Sequence, residues 1–322
     1  MTLAMATTTT ERAVAFVADR LKRAEALGRD LADLTGDPSA FATALRAGFV
    51  ELADPEYLEG QRRVAPGIGP VLGVRGPLLN AVKRGFRQAT RDDRTSTWLF
   101  VADRLLREPE MELRWFAFGL LERLTLDEPE RSWQLVRRAA REAGDWITVD
   151  TLAHVVGRGI LAESYRWAEL DQLVYSPSRW ERRLVGSTVA TIPFIDRRRG
   201  REFDVARHGL ELVGQLIGDD APDVQKALSW ALRSLLRVDA PAVAAFCRAQ
   251  AEHAARNDDG HRAWVVRDTL PKLDDDDAEP IRVRLTGIRR RPGAPSTSRA
   301  AEAAGRFGGG ILGRPMPEPP LT

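Results

Sequence analysis

The 322 residues of this chain predict an all-α fold, a superhelical stack of antiparallel helix pairs of the α-solenoid type. Three observations carry the prediction. Apolar residues recur at three- and four-residue intervals almost from end to end, and no alternation runs long enough for a strand. The connections are mostly short, which makes successive helices antiparallel neighbours. Trp146 and Trp180 open related helices 34 residues apart, near the length of one helix-pair repeat.

The elements follow in order. A first helix is expected over 11–33. Asp37-Pro38 places a capping acid before a proline at the first helical position and opens a helix over 38–53. Helices over 77–90, 95–107 and 110–125 come next. Asp127-Glu-Pro-Glu130 reads as a capping-box variant opening 128–143, and Gly144 closes that helix before Asp145 begins 145–161. Ser176 or Ser178 caps a helix over 178–195. Helices over 201–217, 222–237, 239–256 and 260–270 complete the series. One helical-repeat domain is thus expected over 11–273, behind a threonine-rich disordered stretch, 1–10. The run Asp274–Asp277 reads as a solvated cap or acidic turn that ends the folded part, and from about Thr286 to 322 the chain reads as a disordered tail rich in Gly, Pro and Arg. Arg289, Arg290 and Arg291 in that tail would add nonspecific affinity for nucleic acid or simply aid solubility.

Composition excludes several classes. No run of about 18 uncharged apolar residues exists, so no membrane span is expected. The N-terminus lacks the order of a signal peptide, and the single cysteine, Cys247, excludes an intramolecular disulfide framework and a cysteine zinc site. A cytoplasmic location is the expectation. Net charge is only +2, so any attraction for a polyanion must be local, within a screening length of about 8–10 Å. Lysine occurs only at Lys22, Lys83, Lys226 and Lys272 among 48 basic residues. Arginine favours bidentate phosphate contact, although a GC-rich coding sequence produces the same bias. There is no GxxxxGK[ST] loop, no GxGxxG after a strand and no HExxH. The four histidines are dispersed, so neither a metal nor a cofactor is expected.

Three helices carry residues off their apolar stripes. In VQKALSWALRSLLR, residues 224–237, Val224, Ala227, Leu228, Ala231, Leu232, Leu235 and Leu236 share one stripe. Trp230 projects about 140° from it at roughly 100° per residue, on the face of Lys226, Arg233 and Arg237. In DWITVDTLAHVVGRGIL, residues 145–161, Val149, Leu152, Ala153, Val156 and Ile160 form the stripe. Trp146, Asp150 and His154 form a separate row of i, i+4 neighbours beside it. A half-buried Trp beside a surface Asp is the plain reading, but aspartate is a poor helix former in a helix interior. In SPSRWERRLVGSTVATI, residues 176–192, Trp180, Leu184, Val185, Val189 and Ile192 are core-like, while Arg182 and Arg183 point elsewhere. Two off-core tryptophans, a carboxylate and about five cations suit a polyanion whose sugars meet aromatic rings, as in nucleic acid. A carboxylate weakens such binding, so it suggests chemistry.

These motifs resemble the bacterial DNA alkylation repair enzymes, the AlkD-like, HEAT-repeat DNA glycosylases. The resemblance covers about residues 50–270 and rests on five segments in order. GVRGPLLNAVKRGFR (73–87) is similar to the family's early "GV..P.LR" segment, and EMELRWFAFGLLERL (110–124) to its "hE.R..A...L" helix. GDWITVD (144–150) matches the "W…VD" catalytic helix, SRWERRLVGST (178–188) resembles "W..R.A", and VQKALSWALR (224–233) resembles "QKA.GW.LR". Asn80 departs from a frequent arginine, Leu184-Val185 replace small residues, and the interval from Arg183 to Trp230 is long.

What the resemblance implies is specific. The fold is HEAT-like, and the activity is a monofunctional glycosylase releasing cationic N3- or N7-alkylated purines from double-stranded DNA. It tolerates bulky adducts; separately, no cofactor, a monomer without an obligatory protein partner, and nucleoid association when bound are expected. Asp150, Trp146 and Trp230 would be catalytic, with Arg183 on the DNA-contacting arginine. Arg182, Lys226, Arg233 and Arg237 are the further candidate DNA contacts. No lysine stands in a pattern suggesting lyase chemistry. The alternatives are a non-catalytic helical-repeat protein binding damaged or branched DNA, and a scaffold for protein partners.

Overall fold

The computed structural model describes residues 8–65, 67–93 and 95–308. Among the described residues the chain is helical throughout, with one isolated bridge between Ala53 and Val74 in place of any strand. The expected all-α architecture of packed helix pairs is what forms. The chain divides into two compact units, Met1–Thr151 and Leu152–Thr322.

The first unit contains α1 (Thr9–Asp30), α2 (Pro38–Leu52), α3 (Pro55–Val64), α4 (Gly76–Ala89), α5 (Trp98–Leu106), α6 (Met111–Asp127), α7 (Pro129–Glu142) and the first turns of α8 (Trp146–Ala162). Helices α1, α4 and α6 pack in succession as one layer, and α2, α5 and α7 as a second. Phe41 of α2, Phe86 of α4, Trp98 of α5 and Phe116 of α6 meet in the core with ring centroids 5.1–5.9 Å apart. Such pairs add roughly 0.5–1.5 kcal/mol each beyond their burial.

Cap chemistry set several starts as expected. The Asp37 carboxylate accepts the N–H groups of Ser39 and Ala40, each at 3.0 Å. Asp54-Pro55 repeats the device, with Asp54 accepting from Glu56 and Tyr57. Helix α3 still escaped the apolar periodicity, because none of its residues is fully buried. Asp127 does not cap α7, which begins at Pro129 without a side-chain cap. It ends α6 instead, accepting from Arg123 at 3.0 Å and the Thr95 hydroxyl at 3.1 Å.

The second unit holds the rest of α8, then α9 (Trp167–Leu173), α10 (Arg179–Ile195), α11 (Phe203–Leu216), α12 (Pro222–Leu235), α13 (Ala240–Asn257), α14 (Gly260–Thr269), α15 (Asp275–Arg284) and α16 (Arg299–Gly308). Helices α10, α12 and α14 pack in succession as one layer, and α11, α13 and α15 as the other. Gly186 permits the α10–α12 contact, since a Cβ there would stand 2.9 Å from Ala227.

The C-terminal part differs from expectation. The aspartate run forms the first turn of α15, where three carboxylates face the helix's positive end, and Ala278 and Ile281 are buried. The segment after it is anchored. The Thr297 N–H donates to Gly218 at 2.9 Å, its hydroxyl donates to Asp259 at 2.6 Å, and Ser298 and Ala300 are buried. Arg290 lies 4.9 Å over the Trp264 ring and donates to Gln225 at 2.8 Å, and Arg291 pairs with Asp258. The expected disorder over residues 1–7 and 309–322 falls outside the described residues. No helix among the described residues is long and apolar enough to cross a membrane.

Candidate active site and nucleic-acid interface

Helix α8 begins where Asp145 accepts the Thr148 N–H at 2.8 Å. The Thr148 hydroxyl reaches Met111 Sδ at 3.4 Å, docking this end of α8 on α6. Its stripe is buried as expected: Val149, Leu152, Ala153, Val156 and Ile160 are each at most 2% exposed. The neighbouring row is open, with Trp146 38% exposed, Asp150 half-buried and His154 exposed.

In the first unit Trp146 opens into a groove of about 660 Å³. Tyr57 and Val64 of α3, Leu79 and Lys83 of α4, and Trp115 of α6 supply most of its walls. Buried beside these apolar surfaces, Trp115 Nε1 and Gln61 Oε1 have no hydrogen-bond partner among the described residues. Lys83 is half-buried, and its amine lies against α6 where Gly119 leaves room; a Cβ there would come within 3.1 Å of Nζ. Burial pushes the Lys83 ammonium down to about 8; Glu122 opposes that shift and Arg87 adds to it.

A buried carboxylate holds the loop that frames this groove. Glu112, fully buried in α6, accepts the backbone N–H groups of Leu72, Gly73 and Val74 at 2.8–3.2 Å. Those residues lead into α4, so two of the five sequence segments are halves of one hydrogen-bonded unit. Arg75 then donates to Asp54 at 2.6 Å and lies 5.0 Å over the Tyr57 ring, tying α3 to the head of α4.

In the second unit Trp230 is half-exposed on α12, between an exposed Lys226 and a half-buried Arg233. Arg233 pairs with Asp268 of α14 and also donates to its carbonyl at 2.9 Å. Arg237 is exposed just past the end of α12, 5.4 Å from the Phe194 ring centroid. The off-stripe face expected from the sequence is therefore solvent-facing.

Arg182 and Arg183 sit differently. Arg182 donates to both Asp219 oxygens, at 2.6 and 3.2 Å, and to the carbonyls of Ser176 and Pro177. Asp219 in turn accepts the Ala221 N–H at 2.9 Å, at the start of α12. Arg183 is buried and donates to the Asp223 carbonyl at 2.7 Å, in the first turn of α12. Both arginines thus tie α10 to the start of α12. Trp180, expected in the core, is half-exposed with Arg179 stacked 4.7 Å over its ring.

Sequence reasoning missed α3, the Glu112 clamp and Lys83. The signals were present as the Asp54-Pro55 cap and as one of only four lysines in a chain that otherwise uses arginine. Trp146 and Asp150 belong to the first unit, and Trp230 with the five basic candidates to the second. Comparison with family models matches residues 45–268 to the DNA alkylation repair enzymes. No curated protein matches the chain.

Proposed function

The chain belongs to the DNA alkylation repair enzyme family, and from that premise we propose that it is a DNA glycosylase hydrolysing the N-glycosidic bond of cationic N3- or N7-alkylated purines in duplex DNA. The observation that carries the reading is the open edge of α8. There an indole and a carboxylate lie one helical turn apart, and the indole faces an apolar groove.

The chemistry suits a sparse site. A purine alkylated at N3 or N7 already carries positive charge, so its glycosidic bond is weakened and the base departs neutral. No general acid is needed for the leaving group. What remains is to stabilise an oxocarbenium-like sugar and to place water, as one carboxylate does in glycoside hydrolysis. Asp150 takes that role. The family resemblance gives Trp146 and Trp230 the role of stabilising the sugar cation through their π faces, each contributing about 1–2 kcal/mol when desolvated.

Lys226 and Arg237 contact phosphates directly, and Arg233 joins them on exchanging Asp268 for a phosphate. Arg182 and Arg183 are reassigned from direct contact to holding α12 in place, because the donors described above are spent on protein acceptors. The test is incubation of the purified chain with duplex DNA methylated at purines, followed by chromatography of the released bases. Free 7-methylguanine or 3-methyladenine is the expected product; DNA binding with neither base released would favour a non-catalytic binder.

A further inference from the structure

We propose that Lys83 is a nucleophile that captures the abasic sugar left after base release as a covalent imine. The inference rests on the reading that the groove beside Trp146 receives the lesion's sugar, and it adds a covalent step to a reaction otherwise ended by hydrolysis.

Four observations converge on this side chain. Lys83 lines the same groove as Trp146 and as Thr151, the residue after Asp150. It also borders an adjoining groove of about 420 Å³ between α4 and α6. No hydrogen bond or ion pair holds the amine among the described residues. The groups facing it are Arg84 and Arg87 on α4 and Glu122 and Arg123 on α6. Of these, Arg84 is engaged by Glu25 and Arg123 by Asp127, and Glu122 and Arg87 act on Lys83 only at longer range. Finally, Trp115 and Gln61 line the same groove, and their Nε1 and Oε1 are buried without a partner among the described residues, a donor and an acceptor that a small shift of the wall would offer to the sugar.

A surface lysine held as an ammonium has no lone pair to offer; one in an apolar setting has. With the ammonium lowered to about 8, a substantial neutral fraction exists near neutral pH. In the ring-opened abasic sugar C1′ is an aldehyde. The Nζ lone pair forms a bond to C1′ while the carbonyl π pair moves to oxygen. A proton passes from nitrogen to that oxygen, giving a carbinolamine. On further protonation the oxygen leaves as water, and the Nζ=C1′ imine remains. No oxidant, metal or cofactor enters the balance.

The experiment uses the full chain and a duplex whose single abasic site is prepared from uracil by a separate glycosylase, so capture does not depend on this protein releasing a base. Sodium borohydride reduces the imine to a stable amine, and the adduct is quantified on a denaturing gel and located by peptide mass spectrometry. The expected result is an adduct mapping to Lys83, reduced by at least about tenfold in Lys83→Arg and not in Lys22→Arg or Lys272→Arg. Its formation rate should climb as pH rises through about 8. No adduct, an equal yield in Lys83→Arg, or an adduct on another amine would overturn the proposal. Should Lys83→Arg fail to fold, the mapped position of the wild-type adduct decides alone. Base release from methylated DNA is scored separately, so loss of either activity is distinguishable from loss of the other.

Discussion

The two units treat their polar side chains in opposite ways. In the first, the groove beside Trp146 is apolar, yet an indole N–H and an amide oxygen are buried in its lining residues without a partner among the described residues. In the second, the basic side chains are abundant but largely committed: Arg182 to Asp219 and Arg233 to Asp268. Lys226 and Arg237 are left exposed beside a half-exposed Trp230. The difference teaches that the count of cations is a poor guide to where a polyanion is held, since several in the second unit already have a protein acceptor. On the proposed reading the first unit supplies Asp150 and Trp146, and α12 of the second supplies Trp230 and phosphate contacts.

The comparison can be sharpened by substitutions, beginning with the largest effect. Replacing Glu112 by alanine strands three backbone donors at Leu72, Gly73 and Val74. At about 1–3 kcal/mol per orphaned donor, the stability loss should be about 3 kcal/mol or more, read from urea denaturation of the Glu112→Ala variant. A loss below about 1 kcal/mol would mean that water replaces the carboxylate and that the clamp is not what frames the groove.

Trp230→Ala should slow single-turnover base release about tenfold, given a cation–π contribution of about 1–2 kcal/mol, while shifting the melting temperature little because the ring is only half-buried. A large thermal shift with unchanged base release would return Trp230 to a packing role. Lys226→Ala should lower the slope of log Kd against log salt by about one and weaken binding to all sequences alike. An unaltered slope would show that α12 does not carry the phosphate contacts.

The smallest effect concerns pH. Burial raises the Asp259 carboxyl, but hydrogen bonds from Thr297 and Arg262 more than offset this and hold it below the usual range. A depressed folded value means that the contribution is present above the unfolded pKa, about 3.9, and disappears as pH falls through the lower folded value. Acidification below the usual carboxylate range should therefore loosen the segment carrying Thr297 before the rest of the second unit, seen as selective gain of amide exchange. Uniform exchange across α14 and that segment would contradict this.

Most of the fold was legible because burial imposes a period. The α8 stripe from Val149 to Ile160 and the α12 stripe from Val224 to Leu235 both emerged where the apolar spacing put them. What escaped has little apolar surface to betray it: α3 buries no residue fully, and α15 begins with an acidic run that also resembles a turn. The candidate site was legible as off-stripe residues, and Trp146, His154, Lys226 and Trp230 do face outward. Periodicity reports which way a side chain points but not what it meets. It gave no hint that Arg182 meets Asp219 or that Arg183 turns inward onto Asp223, since those partners lie 37 and 40 residues away in sequence.

The central claim is that Asp150 performs chemistry rather than binding. Its most direct test is single-turnover release of 7-methylguanine by Asp150→Asn, with duplex affinity measured on the same preparation. The account predicts a rate lowered by about 100-fold or more with affinity unchanged or improved, because an anion near phosphates opposes binding. Release at the wild-type rate, with or without altered affinity, would contradict it.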